Sequence, residues 1–226
     1  HGLPQPAALA FGGSGRPQRS SAATGASMST LPQPDRLEAV LDQVWHLLIE
    51  GAARRHSPFH QGVFANLGEA GPEARYVVLR RAEREATRLA FHSDRRSPKI
   101  GQLQNDPRAS WCFFGEGVQL RVAGRATPLF EGERVEAAWQ RTSAFGRRCY
   151  TVVHAPGAGL AEAGSGLPED ALRAGLEPAL NDLGREHFCL VEFQLERVDW
   201  LHLAHSGHRR AQFEAVDGWQ GRWVQP

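Results

Sequence analysis

The chain has 226 residues, 41% of them hydrophobic, enough apolar material for a core in one or two domains. Its 26 Lys and Arg against 25 Asp and Glu leave a net charge of +1, so no overall field draws it to nucleic acid or to an anionic membrane. Three cysteines, Cys112, Cys149 and Cys189, lack C-x-x-C spacing and read as reduced thiols of a cytoplasmic protein. No apolar run approaches the roughly 20 residues that a membrane-spanning helix needs.

Residues 1–31 contain no acid and place Arg16 and Arg19 among Ala, Gly, Ser and Pro. They read as a disordered or non-native leader, with Met28, the one methionine, as the expected start. An organellar transit peptide has the same Arg- and Ser-rich, acid-poor composition and would make the location organellar. Residues 32–226 read as a single domain. A helix is predicted over 35–53, where Leu37, Val40, Leu41, Val44, Leu47 and Leu48 form a stripe and Asp35 with Glu38 makes a capping-box-like start.

The barrel core is expected over 59–129. Phe59 to Leu67 reads as its first strand. Tyr76–Leu79 and Leu89–Phe91 read as a strand pair separated by the polar tract Arg80–Arg88. Ser97 before Pro98, then Ile100 and Leu103, predicts a short serine-capped helix stopped by Asn105-Asp106-Pro107. Ala109–Phe114 and Val118–Leu129 follow as strands around Gly115-Glu116-Gly117, with Gln119, Arg121, Ala123 and Arg125 sharing one face. The predicted class is mostly β with flanking helices (α+β), and the strand–strand–helix–strand–strand order favours a small barrel over a parallel sheet.

The chemical centre is the basic loop from His92 to Lys99. Ser93, Arg95, Arg96, Ser97 and Lys99 gather hydroxyls and cations at a helix start, which is how a phosphate monoester is held. On composition alone such a run is more often a solvated turn.

Helices and a long loop are expected over 131–182. A helix runs from Gly132 to Arg141, 142–168 has no periodicity, and Glu169–Leu180 is amphipathic. Arg147 and Arg148 are adjacent cations that could meet an anionic ligand. C-terminal strands are expected over 186–226: Phe188–Leu195, Arg197–Ala204, Arg209–Phe213 and Trp219–Val224. His202, His205 and His208 recur every three residues, which on a strand sends them to opposite faces, so no metal site is expected.

Four motifs in order resemble the pyridoxamine 5′-phosphate oxidase-related FMN-binding split-barrel family. They are Arg75-Tyr76-Val77-Val78-Leu79-Arg80, Phe91-His92-Ser93 through Ser97-Pro98-Lys99, Gln102 through Ala109, and Val118 through Ala126. The resemblance implies a six-stranded antiparallel Greek-key split β-barrel, a homodimer with FMN at its interface, and a small-molecule substrate. The phosphate would meet Arg75, Lys99, Arg96, Ser93 and Ser97, with His92 beside them. Val77, Val78, Leu79 and Arg80 would border the isoalloxazine ring, and Gln119 would face its pyrimidine carbonyls. Trp200 and Arg210, ten positions apart, match a pair that reaches the neighbouring flavin.

On the substrate side the likeness thins. Trp139 and Ser143 stand where the family's oxidase has Tyr and Arg, and Ser206 precedes His208 in place of the Arg of its Arg-x-His pair. The expected activity is therefore FMN-dependent oxidation or reduction of a different small molecule, in the oxidase-like branch. Arg147, Arg148 and His208 are the candidate substrate contacts. Alternatives are the authentic pyridoxamine/pyridoxine 5′-phosphate oxidase, a haem-binding or haem-degrading split barrel, and a non-catalytic flavin carrier.

Overall fold

The computed structural model describes residues 33–168 and 184–226; the expected leader and the Glu169–Leu180 segment lie outside them. The elements run α1 (Leu37–Ala53), β1 (Gln61–Gly68), β2 (Gly71–Val78), β3 (Arg81–Glu83), β4 (Arg88–Asp94), α2 (Pro98–Asn105), β5 (Arg108–Gly115), β6 (Val118–Leu129), α3 (Glu133–Arg141), α4 (Ala144–Arg148), β7 (Phe188–His202), β8 (Arg209–Glu214) and β9 (Gly221–Val224). Among the described residues these nine strands form one sheet in the order β2-β1-β5-β6-β7-β4-β3, with β8 on β7 and β9 on β8. These strands pair antiparallel throughout.

β2 and β3 stand at opposite ends of that order, yet only Leu79 and Arg80 separate them in the chain. The sheet therefore curls until its ends meet, and the Arg80 N–H donates to Ala90 O at 2.9 Å across the seam. Phe64, Phe91, Trp111, Phe113 and Phe193 fill the interior with edge-to-face and stacked contacts. Val40, Val44, Leu47 and Leu48 of α1 lie on this core at helical spacing. Trp139 and Val135 of α3 pack with Phe188 in a second cluster on the outer side of β4 and β7.

Several expectations change. Tyr76–Leu79 and Leu89–Phe91 are not partners: β2 pairs with β1, and the polar tract supplies β3, which pairs with β4. β3 escapes an apolar pattern because Glu83 is tied into ion pairs with Arg81, Arg88 and Arg134. The stretches read as two strands at 188–195 and 197–204 are one strand, β7. Its register slips opposite Ala123/Gly124, and the inward positions move from Val191, Phe193 and Leu195 to Val198, Trp200 and His202. Gly124 permits that slip, since a Cβ there would fall 1.9 Å from Gln194 O. The α1 start is Arg36, without a side-chain cap, so the Asp35–Glu38 box does not form. α4 breaks what the periodicity leaves as a loop; Ser143 caps it, accepting from the Gly146 N–H at 3.2 Å.

Candidate functional site

The basic loop folds as a turn between β4 and α2. Strand alternation sends Ser93 inward, and Ser97 stands at the α2 N-terminus; each is 7% exposed. Ser97 does not cap the helix with its side chain. Its Oγ instead accepts from Lys99 Nζ at 2.6 Å, while Ser93 Oγ accepts from the same ammonium at 3.3 Å. Burial, and then the charge of Arg75, push the Lys99 ammonium below its ordinary pKa. Among the described residues no carboxylate forms an ion pair with Lys99. A desolvated ammonium with a second cation close by and two hydroxyls at hand is unfavourable alone and suited to a phosphate monoester.

Arg75 is fixed rather than free. It donates to Asn66 Oδ1 and, at 2.8 Å, to Glu73 Oε2. Gln102 closes the ring by accepting from Asn66 Nδ2 at 2.8 Å and donating to Glu73 Oε1 at 2.9 Å. Arg96 is engaged as well: its guanidinium forks onto Asp94 at 2.8 and 3.1 Å.

A cleft of about 960 Å³ is lined by Tyr76, Val78 and Arg80, by Cys112 and Phe114, and by Ser143, Phe145 and Tyr150. Its neighbour, about 490 Å³, is lined by Arg80, Arg81, His92, Arg141 and Thr142. Val78 and Arg80 thus border open space. The Leu79 side chain is in the core, and its N–H donates to His60 O at 2.8 Å. Val77 is half-buried against the core. His92 alternates away from Ser93 and Lys99 and meets Phe188 edge-on at 4.8 Å. Burial, then Arg80 and Arg141, drive its pKa down to about 3, so it is neutral at physiological pH. Among the described residues neither Arg80 nor Arg141 has a carboxylate partner. Arg141 went unnoticed in the sequence because only the packing of α3 over β4 brings it to this cavity.

The outer sheet face carries a third group. Register aligns Phe114, Gln119, Leu201 and Arg210 in one row across β5 to β8. Trp200 is not in it. The strand turns this residue inward, fully buried, with Nε1 donating to Gln43 Oε1 at 3.0 Å, so it is core rather than a flavin contact. Arg210 is held by Asp199 through bonds of 3.0 and 2.7 Å, and Arg121 joins the same carboxylate at 2.7 Å. These bonds hold Asp199 at a pKa of about 2 despite its burial.

The substrate candidates divide. Arg147 donates to Trp139 O and Gln140 O, both at 3.2 Å, and lies 4.9 Å over the Trp139 ring, so it caps α3. Arg148 lies over Phe145, 5.5 Å from its centroid. His208 accepts from the Ala204 N–H at 3.2 Å and borders a small cleft with Arg209, Arg210 and Trp223. Among the described residues no group of three or more His, Cys, Asp or Glu is placed to hold a metal, and no helix is long and apolar enough to cross a membrane.

Residues 42–129 match the family model described as pyridoxamine 5′-phosphate oxidase, FMN-binding domain. A curated relative, pyridoxine/pyridoxamine 5′-phosphate oxidase 2 of Arabidopsis thaliana, is 26% identical over 172 residues, 70% of this chain and 83% of that protein. Among solved structures, a pyridoxamine 5′-phosphate oxidase-related FMN-binding protein of Nostoc punctiforme superposes with a TM-score of 0.62 at 23% identity, covering 88% of this chain and all of the other. PhzG of Burkholderia lata does so with 0.63 at 18%, over the same shares. The matched segment spans β1 to β6 and contains the Lys99 turn, and FMN is the cofactor of that domain. Over residues 42–129 the chain is thus similar to the FMN-binding domain of pyridoxamine 5′-phosphate oxidase, and its fold is that of the related FMN-binding split barrels.

Proposed function

We propose that the protein is an FMN-dependent oxidoreductase acting on a small anionic substrate, assembled as a homodimer. The observation that carries the reading is the half-buried Lys99, which lacks a carboxylate partner among the described residues and sits between two hydroxyls that orient it. Lys99, Ser93 and Ser97 would hold the FMN phosphate, with Arg75 supplying the second charge. Val78 and Arg80 would border the ring system. Bound FMN supplies acceptance and donation of an electron pair, and the chain supplies position and charge. Gln119 and Arg210 line up on the outer face, away from the Lys99 turn, and beside the exposed Phe114. That arrangement suits a second copy whose row completes the site of the first.

Arg80 and Arg141 give the substrate side its sign. Both face the His92 cavity without carboxylate partners among the described residues, and His92, being neutral, does not add to their charge. A phosphate or carboxylate on the substrate would be drawn there, with Thr142 and Ser143 offering hydroxyls. This supports a second reading, oxidation of a phosphorylated pyridoxine vitamer, which the Arabidopsis relative's name also favours. The cations at Arg80 and Arg141 would then replace those missing at Ser143 and Ser206.

Anaerobic mixing of FMN-loaded protein with paired donors tests both readings. Pyridoxamine 5′-phosphate is set against pyridoxamine, and NADPH is run separately. Bleaching of the flavin band by an anionic donor but not its neutral counterpart is the expected result. Bleaching by pyridoxamine 5′-phosphate selects the second reading, and a flavin that no anionic donor bleaches argues for a carrier.

A further inference from the structure

Arg96 does more than balance Asp94. The same guanidinium donates to Val152 O at 3.0 Å and to Val153 O at 3.3 Å, which ties the segment after α4 to the phosphate-type turn. Val153 is held on its other side, its N–H donating to Gly166 O at 3.0 Å. The segment then crosses Pro98: a Cβ on Gly157 would stand 3.9 Å from Pro98 Cγ. Between these two anchors lies Ser97, the hydroxyl that holds Lys99. Residues 153 and 154 and 156 to 158 are exposed, so little apolar packing holds the segment down.

Asp94 explains why Arg96 stays in this role. Its carboxylate is 8% exposed and, among the described residues, is hydrogen-bonded by the backbone and side chain of Arg96 alone. Swinging Arg96 onto a phosphate would strand a buried carboxylate, which is costly. The guanidinium is therefore a fixed fork with its remaining donors aimed at two carbonyls.

We propose that residues 151–158 form a strap across the phosphate end of the FMN site, that Arg96 is its latch, and that Asp94 positions the latch. This rests on the reading that Ser93, Ser97 and Lys99 receive the FMN phosphate. The strap governs how fast FMN enters and leaves. Arg96 then has little effect on the equilibrium, because opening the strap speeds both directions. This differs from the expectation that Arg96 binds the phosphate itself.

The test uses the full chain with Arg96→Ala and Arg96→Lys. Lysine keeps the charge but cannot fork between Asp94 and two carbonyls. FMN uptake and release are followed by stopped-flow flavin fluorescence, and hydrogen exchange is measured over residues 150–158 in the FMN-free protein. In both variants, uptake and release should each speed up roughly tenfold, while the dissociation constant stays within about threefold, as expected for two lost hydrogen bonds that only close a gate. Exchange over the strap should rise by a similar factor.

Faster release with unchanged uptake, a weaker dissociation constant in Arg96→Ala and wild-type behaviour in Arg96→Lys would overturn the proposal in favour of direct phosphate contact. Unchanged exchange in both variants would overturn the latch itself. If the wild-type chain took up no FMN, the cofactor site and the gating would fall together, while exchange would still decide whether Arg96 holds the strap.

Discussion

Two cation clusters of this molecule look alike in sequence and differ in what surrounds them. At the turn before α2, Lys99 is half-buried near Arg75 and, among the described residues, its ammonium is hydrogen-bonded to two hydroxyls and no carboxylate. On the outer sheet face, Arg121 and Arg210 close on Asp199 with bonds of 2.7 to 3.0 Å. The first cluster carries an unbalanced, desolvated charge and is poised for an anion; the second is already neutralised in part and is poised to hold side chains in place. A count of Lys and Arg does not separate them, whereas burial and the absence of a carboxylate do.

Substitutions can break or sharpen that contrast. The largest effect is expected beneath the outer cluster, at Trp200. Replacement by Ala should cost about 3–5 kcal/mol of unfolding free energy, measured by denaturant titration, because a fully buried aromatic leaves a cavity. Trp200→Phe should keep the wild-type FMN dissociation constant; a large loss of FMN there would restore Trp200 as a flavin contact. Next comes Lys99→Ala, which should weaken FMN by roughly 1.5–3 kcal/mol in a fluorescence titration, the range for a charged hydrogen bond. Loss of the desolvated ammonium should leave the FMN-free protein no less stable.

Both clusters make stability rise with pH, in different windows. The Lys99 pKa is lowered in the FMN-free fold, so the unfolded chain binds more protons between that value and 10.5, and stability rises with pH across this window. FMN affinity should fall across the same window as the ammonium is lost. Asp199 is held at about 2 against an ordinary 3.8, so its contribution is present above about pH 4 and is lost as pH falls toward 2. Asp199→Asn should cost about 1–2 kcal/mol at neutral pH and flatten that acid limb in thermal melts. Arg147→Ala is expected to have the smallest effect, about 1 kcal/mol of stability from a lost helix cap. It should leave flavin reduction by anionic donors unchanged, whereas Arg141→Ala should slow it.

The site's legibility follows the range of the interactions. Ser93, Ser97 and Lys99 are close in sequence, and strand parity plus a helix start suffices to bring them together, so this turn is readable from the residues. The β6 alternation is equally local, and Gln119 and Arg121 face outward as the pattern says. Trp200 is misread because a spacing of ten to Arg210 says nothing about parity, and the slip opposite Gly124 changes the parity of β7 just before it. β3 is hidden because its Glu83 finds partners on β4 and α3, so polar residues serve where an apolar pattern is sought. Arg141 and the Arg96 latch depend on contacts between distant segments, and neither leaves a periodic trace.

The most direct measurement is the affinity of FMN against riboflavin for the wild-type chain and for Lys99→Met, which preserves volume while removing the charge. The account predicts that wild type prefers FMN by about ten- to a hundredfold and that the preference largely disappears in the variant while riboflavin binding is kept. An equal preference for FMN in both proteins would contradict it, since the phosphate would then be held elsewhere.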